Sequence, residues 1–349
     1  MMDVVSVDGK RIGWSDRPFQ TFDCTVETVM GKYVKRQTPR AMPTAARVAH
    51  FVQDLQQPFL VAGCRGETTQ QNDRPRFDIH SQFRFATGSL DQFRDKHLVV
   101  FAHGYNNTPD DALRSAKAFF GKLHDSIAHD GIDPASCVYL LFTWPGDTGP
   151  VFFNTAQEYA HLSGVALYHL LSEAQTAAAP KSISLVSHSL GAHVVLRCLA
   201  VLGERFFREK STVRVDHALL LAAAVEDDVF HNPERLEEYH FPEAAFGVSH
   251  LHISTSRADE VLGGAFRVNE HDAALGFKGP ESMSPLASLA RRVEEVSNGQ
   301  ASFRFEVHDF SPSSATIMNP ALHVYDHGGY WANPEQTNYY VNLLHASVA

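Results

Sequence analysis

The sequence predicts an α/β protein: a mostly parallel central β-sheet flanked by helices, with an N-terminal extension. Two patterns carry this expectation. From about residue 58 onward, short apolar runs alternate with segments of helical periodicity. Most of those runs are continuous rather than alternating, as suits strands covered by helices on both faces. The length of 349 residues and the 44 % apolar content allow one large domain with a real core.

The elements follow in order. Val5, Ser6 and Val7 precede Asp8-Gly9, and Ile12 and Trp14 follow. An Asp-Gly pair between alternating segments signals a hairpin. Residues 44–56 carry a helical pattern, with Thr44 as a cap and Val48, Phe51, Val52 and Leu55 on one face. Residues 1–57 are therefore expected to form the extension and residues 58–349 the main domain. The polar stretch Thr68 to Arg76 holds a proline and reads as an exposed loop. Strands are expected at Phe59–Ala62, Phe77–Phe85, His97–Ala102, Val138–Phe142, Ile183–Ser187, Ala218–Ala224, Leu251–Ser254 and Phe303–Val307. Helical patterns fall at 109–127, 154–175 and 190–203. Thr108 can cap the first of these, Pro109 suits its first position, and Asp110 and Asp111 sit at its positive end. Ala112, Ala116, Phe119, Phe120 and Leu123 form its apolar stripe.

The formal charge is −10, from 30 basic and 40 acidic residues. Phosphate binding needs a basic face, so nucleic acid is not expected as a partner, nor is a polybasic membrane contact. The four cysteines, Cys24, Cys64, Cys137 and Cys198, form no C-x-x-C pair, and no H-E-x-x-H spacing occurs. No metal and no organic cofactor is expected. The N-terminus lacks a basic segment followed by an apolar one, and the longest apolar stretch, Ala218 to Val225, is too short to span a bilayer. A soluble, cytoplasmic protein without a membrane span is the expectation.

The chemistry concentrates at Ile183-Ser184-Leu185-Val186-Ser187-His188-Ser189-Leu190-Gly191-Ala192. A buried strand runs into a tight turn and then a helix with Val195, Cys198, Leu199 and Leu202 on its inner face. In that setting a small-x-Ser-x-Gly pattern marks a nucleophile elbow, with Ser189 projecting from the top of the sheet. Residues two before and two after the serine must be small, because the chain crosses itself there. Gly191 meets that demand, and Ser187 stands where a glycine is usual. Upstream, His97 to Ala102 reads as a buried strand ending in His103-Gly104-Tyr105-Asn106-Asn107. Acyl transfer places negative charge on a carbonyl oxygen, which two backbone N–H groups can hold. The donors expected beside such an elbow are Leu190, after the serine, and Tyr105, on the loop after the earlier strand.

From about residue 97 to 345 the chain resembles the esterase/lipase-like α/β-hydrolases, especially a poorly characterised bacterial branch. The similar segments are Phe101-Ala102-His103-Gly104-Tyr105-Asn106, Phe142-Thr143-Trp144-Pro145-Gly146-Asp147 and Ser187-His188-Ser189-Leu190-Gly191. Further on come Leu221-Ala222-Ala223-Ala224, Ser254-Thr255-Ser256-Arg257-Ala258-Asp259 and His-x-x-Tyr-Trp at 327–331. The resemblance implies the α/β-hydrolase fold and a triad in the chain order serine, acid, histidine. It places the acid on a loop at a strand end. Asp259 is the first choice, with Glu226, Asp227 and Asp228 after the preceding strand as competitors. His327, on a Gly-rich loop beyond the last strand, is the expected base, with His323 as its alternative.

The resulting expectation is a serine hydrolase that cleaves a carboxylic ester, or a related acyl bond, of a small molecule through an acyl-enzyme. A thioesterase, amidase or peptidase would use the same parts. The rival from another class is a non-catalytic binding protein on the same fold. His188 is expected to line the pocket, His103 to hold the oxyanion loop, and Trp144 and Asp147 to be structural. Segments 227–248 and 262–300 are long enough to cap the pocket. Phe230, Tyr239, Phe241 and Phe246 either line an acyl site there or simply pack. Neither the acyl chain length nor the oligomeric state is legible.

Overall fold

The apolar runs assemble into one eight-stranded sheet. The computed structural model describes residues 38–66, 82–149, 152–209, 213–231, 239–266 and 272–311, with His327, Tyr330, Tyr339, Asn342 and the backbone of four short two-stranded ribbons. The sheet strands are β1 (Leu60–Gly63), β2 (Arg84–Thr87), β3 (His97–Ala102), β4 (Cys137–Thr143), β5 (Ser182–His188), β6 (Val215–Leu221), β7 (Val248–Thr255) and β8 (Arg304–Asp309). They lie side by side in the order β2-β1-β4-β3-β5-β6-β7-β8. Every neighbouring pair is parallel except β1 with β2. All residues of β3 and β5 are buried, which is why β3 reads as an apolar run and β5 admits only small serines and a terminal histidine among its apolar residues.

The main helices are α1 (Ala45–Val52), α2 (Pro109–His129), α3 (Phe153–Ala177) and α4 (Gly191–Glu209). Shorter ones are α5 (Ala244–Gly247), α6 (Leu275–Lys278) and α7 (Ser284–Val296). The punctuation of α2 is fully used. Thr108 Oγ1 accepts from the Asp111 N–H, and the Asp111 carboxylate accepts from the Thr108 N–H. Its stripe of Ala112, Ala116, Phe119, Phe120 and Leu123 is buried. Phe101, Phe120 and Tyr139 meet there face and edge. Thr44 caps α1, Val48 and Val52 enter the core, and Arg47 and Asp54 pair with Asp110 and Lys117 of α2. Cys64, Cys137 and Cys198 are buried free thiols. Among the described residues, no helix is long and apolar enough to cross a membrane.

Three local expectations change. The stretch 77–85 is not one strand, because Phe77 closes a ribbon in which Thr68–Gln71 pairs antiparallel with Arg74–Phe77. Thr68 to Arg76 is therefore not simply a loop. Both strands of a two-stranded ribbon are edges, so Pro75 is tolerated within one. The sixth sheet strand is Val215–Leu221 rather than Ala218–Ala224. Ala222 takes a φ of 48°, which ends the extended run while Ala222 to Ala224 stay buried. At the N-terminus, Val4–Val5 pairs antiparallel with Arg11–Ile12, but the Asp8-Gly9 turn lies outside the described residues.

A buried ion pair locks the end of the sheet where β1 and β4 finish. Arg65, just past β1, is 0 % exposed and its Nη1 lies 2.6 Å from Asp147 Oδ1. The same guanidinium donates from Nε to Thr143 Oγ1 at 2.7 Å, from Nη1 to the Arg40 carbonyl and from Nη2 to the Asn107 carbonyl. Asp147 Oδ2 accepts the Arg40 N–H at 2.9 Å. One planar cation thus ties β1, the end of β4, the segment before α1 and the loop after β3. Burial lowers the Arg65 pKa, and Asp147 opposes that shift. Asp147→Asn keeps the shape but leaves a buried charge uncompensated. It is expected to cost about 3–5 kcal/mol, read by urea unfolding. A loss below about 1 kcal/mol would show that the pair is dispensable.

Buried histidines set the acid stability. Burial holds His103, His188 and His193 down at about 3 and His252 at about 4. Unfolded histidine titrates near about 6.5, so the folded chain binds fewer protons between these values. Their stabilisation is complete above about pH 6.5 and lost as pH falls toward the folded values. Each contributes up to about 1.4 kcal/mol per pH unit in that window. Unfolding free energy measured from pH 7 to pH 5 should therefore decline by more than one proton's slope. A flat profile over that range would contradict neutral burial of these rings.

Candidate active site

The serine elbow is built by strand ends and crossing backbone. β5 runs one residue beyond β3, with Ser187 opposite Ala102 and His188 opposite Leu221. Ser189 then takes a φ of 54°, a left-handed conformation that side chains seldom adopt. The turn is held by bonds to the neighbouring strand's end: the Ser189 N–H donates to the Leu221 carbonyl and the Ala224 N–H to the Ser189 carbonyl. A Cβ on Gly191 would lie 2.4 Å from the Ala102 carbonyl oxygen, so only glycine fits that crossing. A Cβ on Gly104 would lie 2.9 Å from Ser189 Cβ, which sets the loop after β3 directly against the serine.

Two N–H groups near Ser189 are uncommitted. Among the described residues, neither Tyr105 nor Leu190 donates its N–H to a protein acceptor, whereas the adjacent Ser189 and Asn106 N–H groups donate to Leu221 and Gly146. The loop carrying Tyr105 is fixed from several sides. His103 is fully buried, and its Nδ1 is 2.9 Å from the Gly104 carbonyl. Its Nε2 accepts the Trp144 N–H at 3.1 Å, so the neutral ring carries its proton on Nδ1. The Trp144 indole donates to the His103 carbonyl at 2.7 Å and stacks on the imidazole. The Tyr105 hydroxyl donates to the Gly149 carbonyl, and Asn107 Nδ2 donates to the Tyr105 carbonyl.

His327 and Asp259 are in contact. His327 Nδ1 lies 2.7 Å from Asp259 Oδ2. Asp259 follows β7 and is 3 % exposed. Its Oδ1 accepts the Val261 and Leu262 N–H groups at 3.1 and 3.0 Å, the opening of the next helical turn. Burial by itself would raise the Asp259 pKa. The His327 imidazole, those backbone donors and the Tyr330 hydroxyl outweigh it and hold the carboxyl below its ordinary range. His188, the residue before Ser189, bonds through Nε2 to the His327 carbonyl at 2.7 Å, and the two rings sit 4.9 Å apart. This contact brings the His327 segment to the elbow. Burial keeps His188 neutral, with its pKa at about 3.

Two of the competing acids are engaged elsewhere: Asp227 pairs with Lys278 at 2.5 Å and Asp228 lies 3.4 Å from His240, while the Glu226 backbone forms a bridge with Ala274. His323 lies outside the described residues. Tyr239 and Phe241 pack on the half-buried His161 and the buried His193 rings, and Phe246 packs against Phe207. A different aromatic row runs from Tyr105 through Phe153 to Phe266, with ring centroids 5.3 and 5.8 Å apart.

Two neighbours of this site have no assigned role from sequence reasoning. Tyr330 donates its hydroxyl to Asp259 Oδ2 at 3.0 Å. Its signal was the His-x-x-Tyr spacing, which sets two side chains on one side of a turn. Arg65 carried no signal, since a lone arginine in Cys64-Arg65-Gly66 looks like any surface residue. Among the described residues, the side-chain groupings able to hold a metal ion do not include Ser189, Asp259 or His327.

Residues 81–314 match the family described as alpha/beta hydrolase of unknown function (DUF900). No curated protein matches the sequence significantly. Among solved structures, an acetyl xylan esterase shares 11 % identity with a TM-score of 0.35, covering 72 % of this chain and 98 % of its own. Esterase B from Lactobacillus rhamnosis (HN001) shares 14 % with a TM-score of 0.31, covering 87 % and 90 %. A bacterial heroin esterase shares 11 % with a TM-score of 0.33, covering 88 % and 93 %. Likenesses this weak carry no argument about this chain. The family match spans well over half of it, and with the parallel sheet and the strand order above, the chain belongs to the alpha/beta hydrolases of unknown function, DUF900.

Proposed function

We propose that this hydrolase is a serine esterase, with Ser189 as nucleophile, His327 as general base and Asp259 as the acid that orients it. The observation that carries the reading is the 2.7 Å contact of His327 Nδ1 with Asp259, delivered to the elbow by the bond from His188 to the His327 carbonyl. With Nδ1 donating to the carboxylate, the imidazole presents Nε2 as the proton acceptor. Ser189 Oγ attacks the ester carbonyl carbon while its proton passes to His327. The negative oxygen is held by the Tyr105 and Leu190 N–H groups, which have no other described acceptor to give up. The tetrahedral intermediate collapses, the alcohol leaves with the proton from His327, and water hydrolyses the acyl-enzyme by the same route. Asp259 stays ionised throughout and stabilises the imidazolium.

Tyr330 is a positioning residue in this scheme. Its hydroxyl shares Asp259 Oδ2 with His327 and so fixes the direction in which the carboxylate faces the ring. The row Tyr105, Phe153 and Phe266 joins the oxyanion loop to the segment after Asp259, and supports an apolar acyl group on that side.

A fluorophosphonate probe should label the protein at Ser189, and Ser189→Ala should abolish both labelling and ester turnover with the fold retained. A folded wild-type chain that the probe leaves unlabelled would instead favour a binding protein. Asp259→Asn should lower kcat by roughly 10⁴-fold. Tyr330→Phe, which removes one charge-assisted bond worth about 1.5–3 kcal/mol, should lower kcat by at most about 100-fold and leave KM nearly unchanged. Collapse of activity in Asp227→Asn, with Asp259→Asn near normal, would move the acid to the earlier strand.

A further inference from the structure

We propose that His252, Glu306, His308 and Tyr339 form a structural zinc site at the β7–β8 edge of the sheet, separate from the serine centre. The inference goes beyond the esterase reading and does not rest on it. Three ligand types converge from three parts of the chain. His252 lies on β7 opposite Glu306 of β8, and His308 is two residues along β8, on the same face. Tyr339 comes from the segment after His327 and closes over them. The His252, Glu306 and His308 ligand atoms lie within 4.8 Å of one another.

The spacing fits a tetrahedral ion. Zinc bound by nitrogen and oxygen at about 2.0–2.1 Å sets its ligand atoms about 3.3 Å apart. Here His308 Nε2 is 3.1 Å and His252 Nδ1 3.9 Å from Glu306 Oε2. The Tyr339 hydroxyl is 3.3 Å from both His252 Nδ1 and Glu306 Oε2, and it also contacts His308 Nε2. These groups crowd one another closely enough for one small cation to take the place of their mutual contacts.

The surroundings suit the same ion. On its far side, His252 Nε2 lies 3.3 Å from His217 Nδ1 on β6, the kind of bond that orients a metal-binding imidazole. Two imidazoles, a carboxylate and a phenol are a borderline nitrogen and oxygen set, which suits zinc better than calcium or magnesium.

The test titrates chelator-treated, dialysed full-length protein with zinc, against a chromophoric competitor. One tight equivalent per chain is expected, with a rise in Tm. Tyr339→Phe removes only the oxygen, while Glu306→Gln and His308→Ala alter partly exposed side chains and should leave the far-ultraviolet spectrum unchanged. Each should weaken zinc by more than the roughly 10- to 100-fold that loss of an orienting partner costs. Asp272→Asn, in a separate acidic grouping, should bind like the wild type. Cobalt in place of zinc should give the visible bands of a tetrahedral site. Failure to bind an equivalent of zinc, or equal affinity in all three ligand variants, would overturn the proposal. Probe labelling of Ser189 is read separately, so neither result decides the other.

Discussion

One buried guanidinium constrains the working edge of the sheet. Arg65 is shut off from water, so its donors must find protein acceptors, and those acceptors lie on three separate pieces of chain. The loop after β3 is the piece that matters most. Arg65 holds its Asn107 carbonyl while Trp144 and His103 clamp its start. The Tyr105 N–H is therefore presented by a loop with no slack, which is what a pre-organised oxyanion donor requires. Electrostatic cost is spent on positional accuracy rather than on net stability.

The opposite side of the site is organised differently. Asp259 and His327 come from the end of β7 and from the segment beyond β8, away from the central strands. Their alignment depends on shared hydrogen bonds, with both carboxylate oxygens used and the His327 carbonyl tied to His188. The serine side is rigid because backbone crosses backbone. The histidine side is rigid only while its polar bonds hold.

Legibility in the sequence follows the same division. β3, β4, β5 and β7 showed themselves because strands buried along most of their length are rich in apolar residues, whereas the edge strand β8 showed itself by alternating half-buried Phe305 and Val307 with exposed Arg304 and Glu306. The α2 boundary was marked by Thr108, Pro109 and Asp111, whose side-chain chemistry is local. β6 was misplaced by three residues because Ala222 to Ala224 are buried without being extended, and burial alone does not distinguish the two. The 68–77 ribbon was missed because polar residues carry no periodic signal for one. The elbow could be read from Gly191 and its strand–helix setting, whereas the fan of bonds around Arg65 could not. A buried ion pair has no sequence period, and its partner lies 82 residues away.

The order in which the parts occur along the chain has a consequence during synthesis. His188 and His327 are separated by 139 positions, with three sheet strands and α7 between them. A ribosome therefore delivers the strained serine and the loop after β3 long before the histidine proposed to deprotonate it. Because domains form as units rather than residue by residue, the nascent chain holds an inert hydroxyl until nearly all of the sheet has emerged. In the proposed scheme, any fragment released early would carry the nucleophile without its base, so premature termination would yield a dead protein instead of an unregulated one.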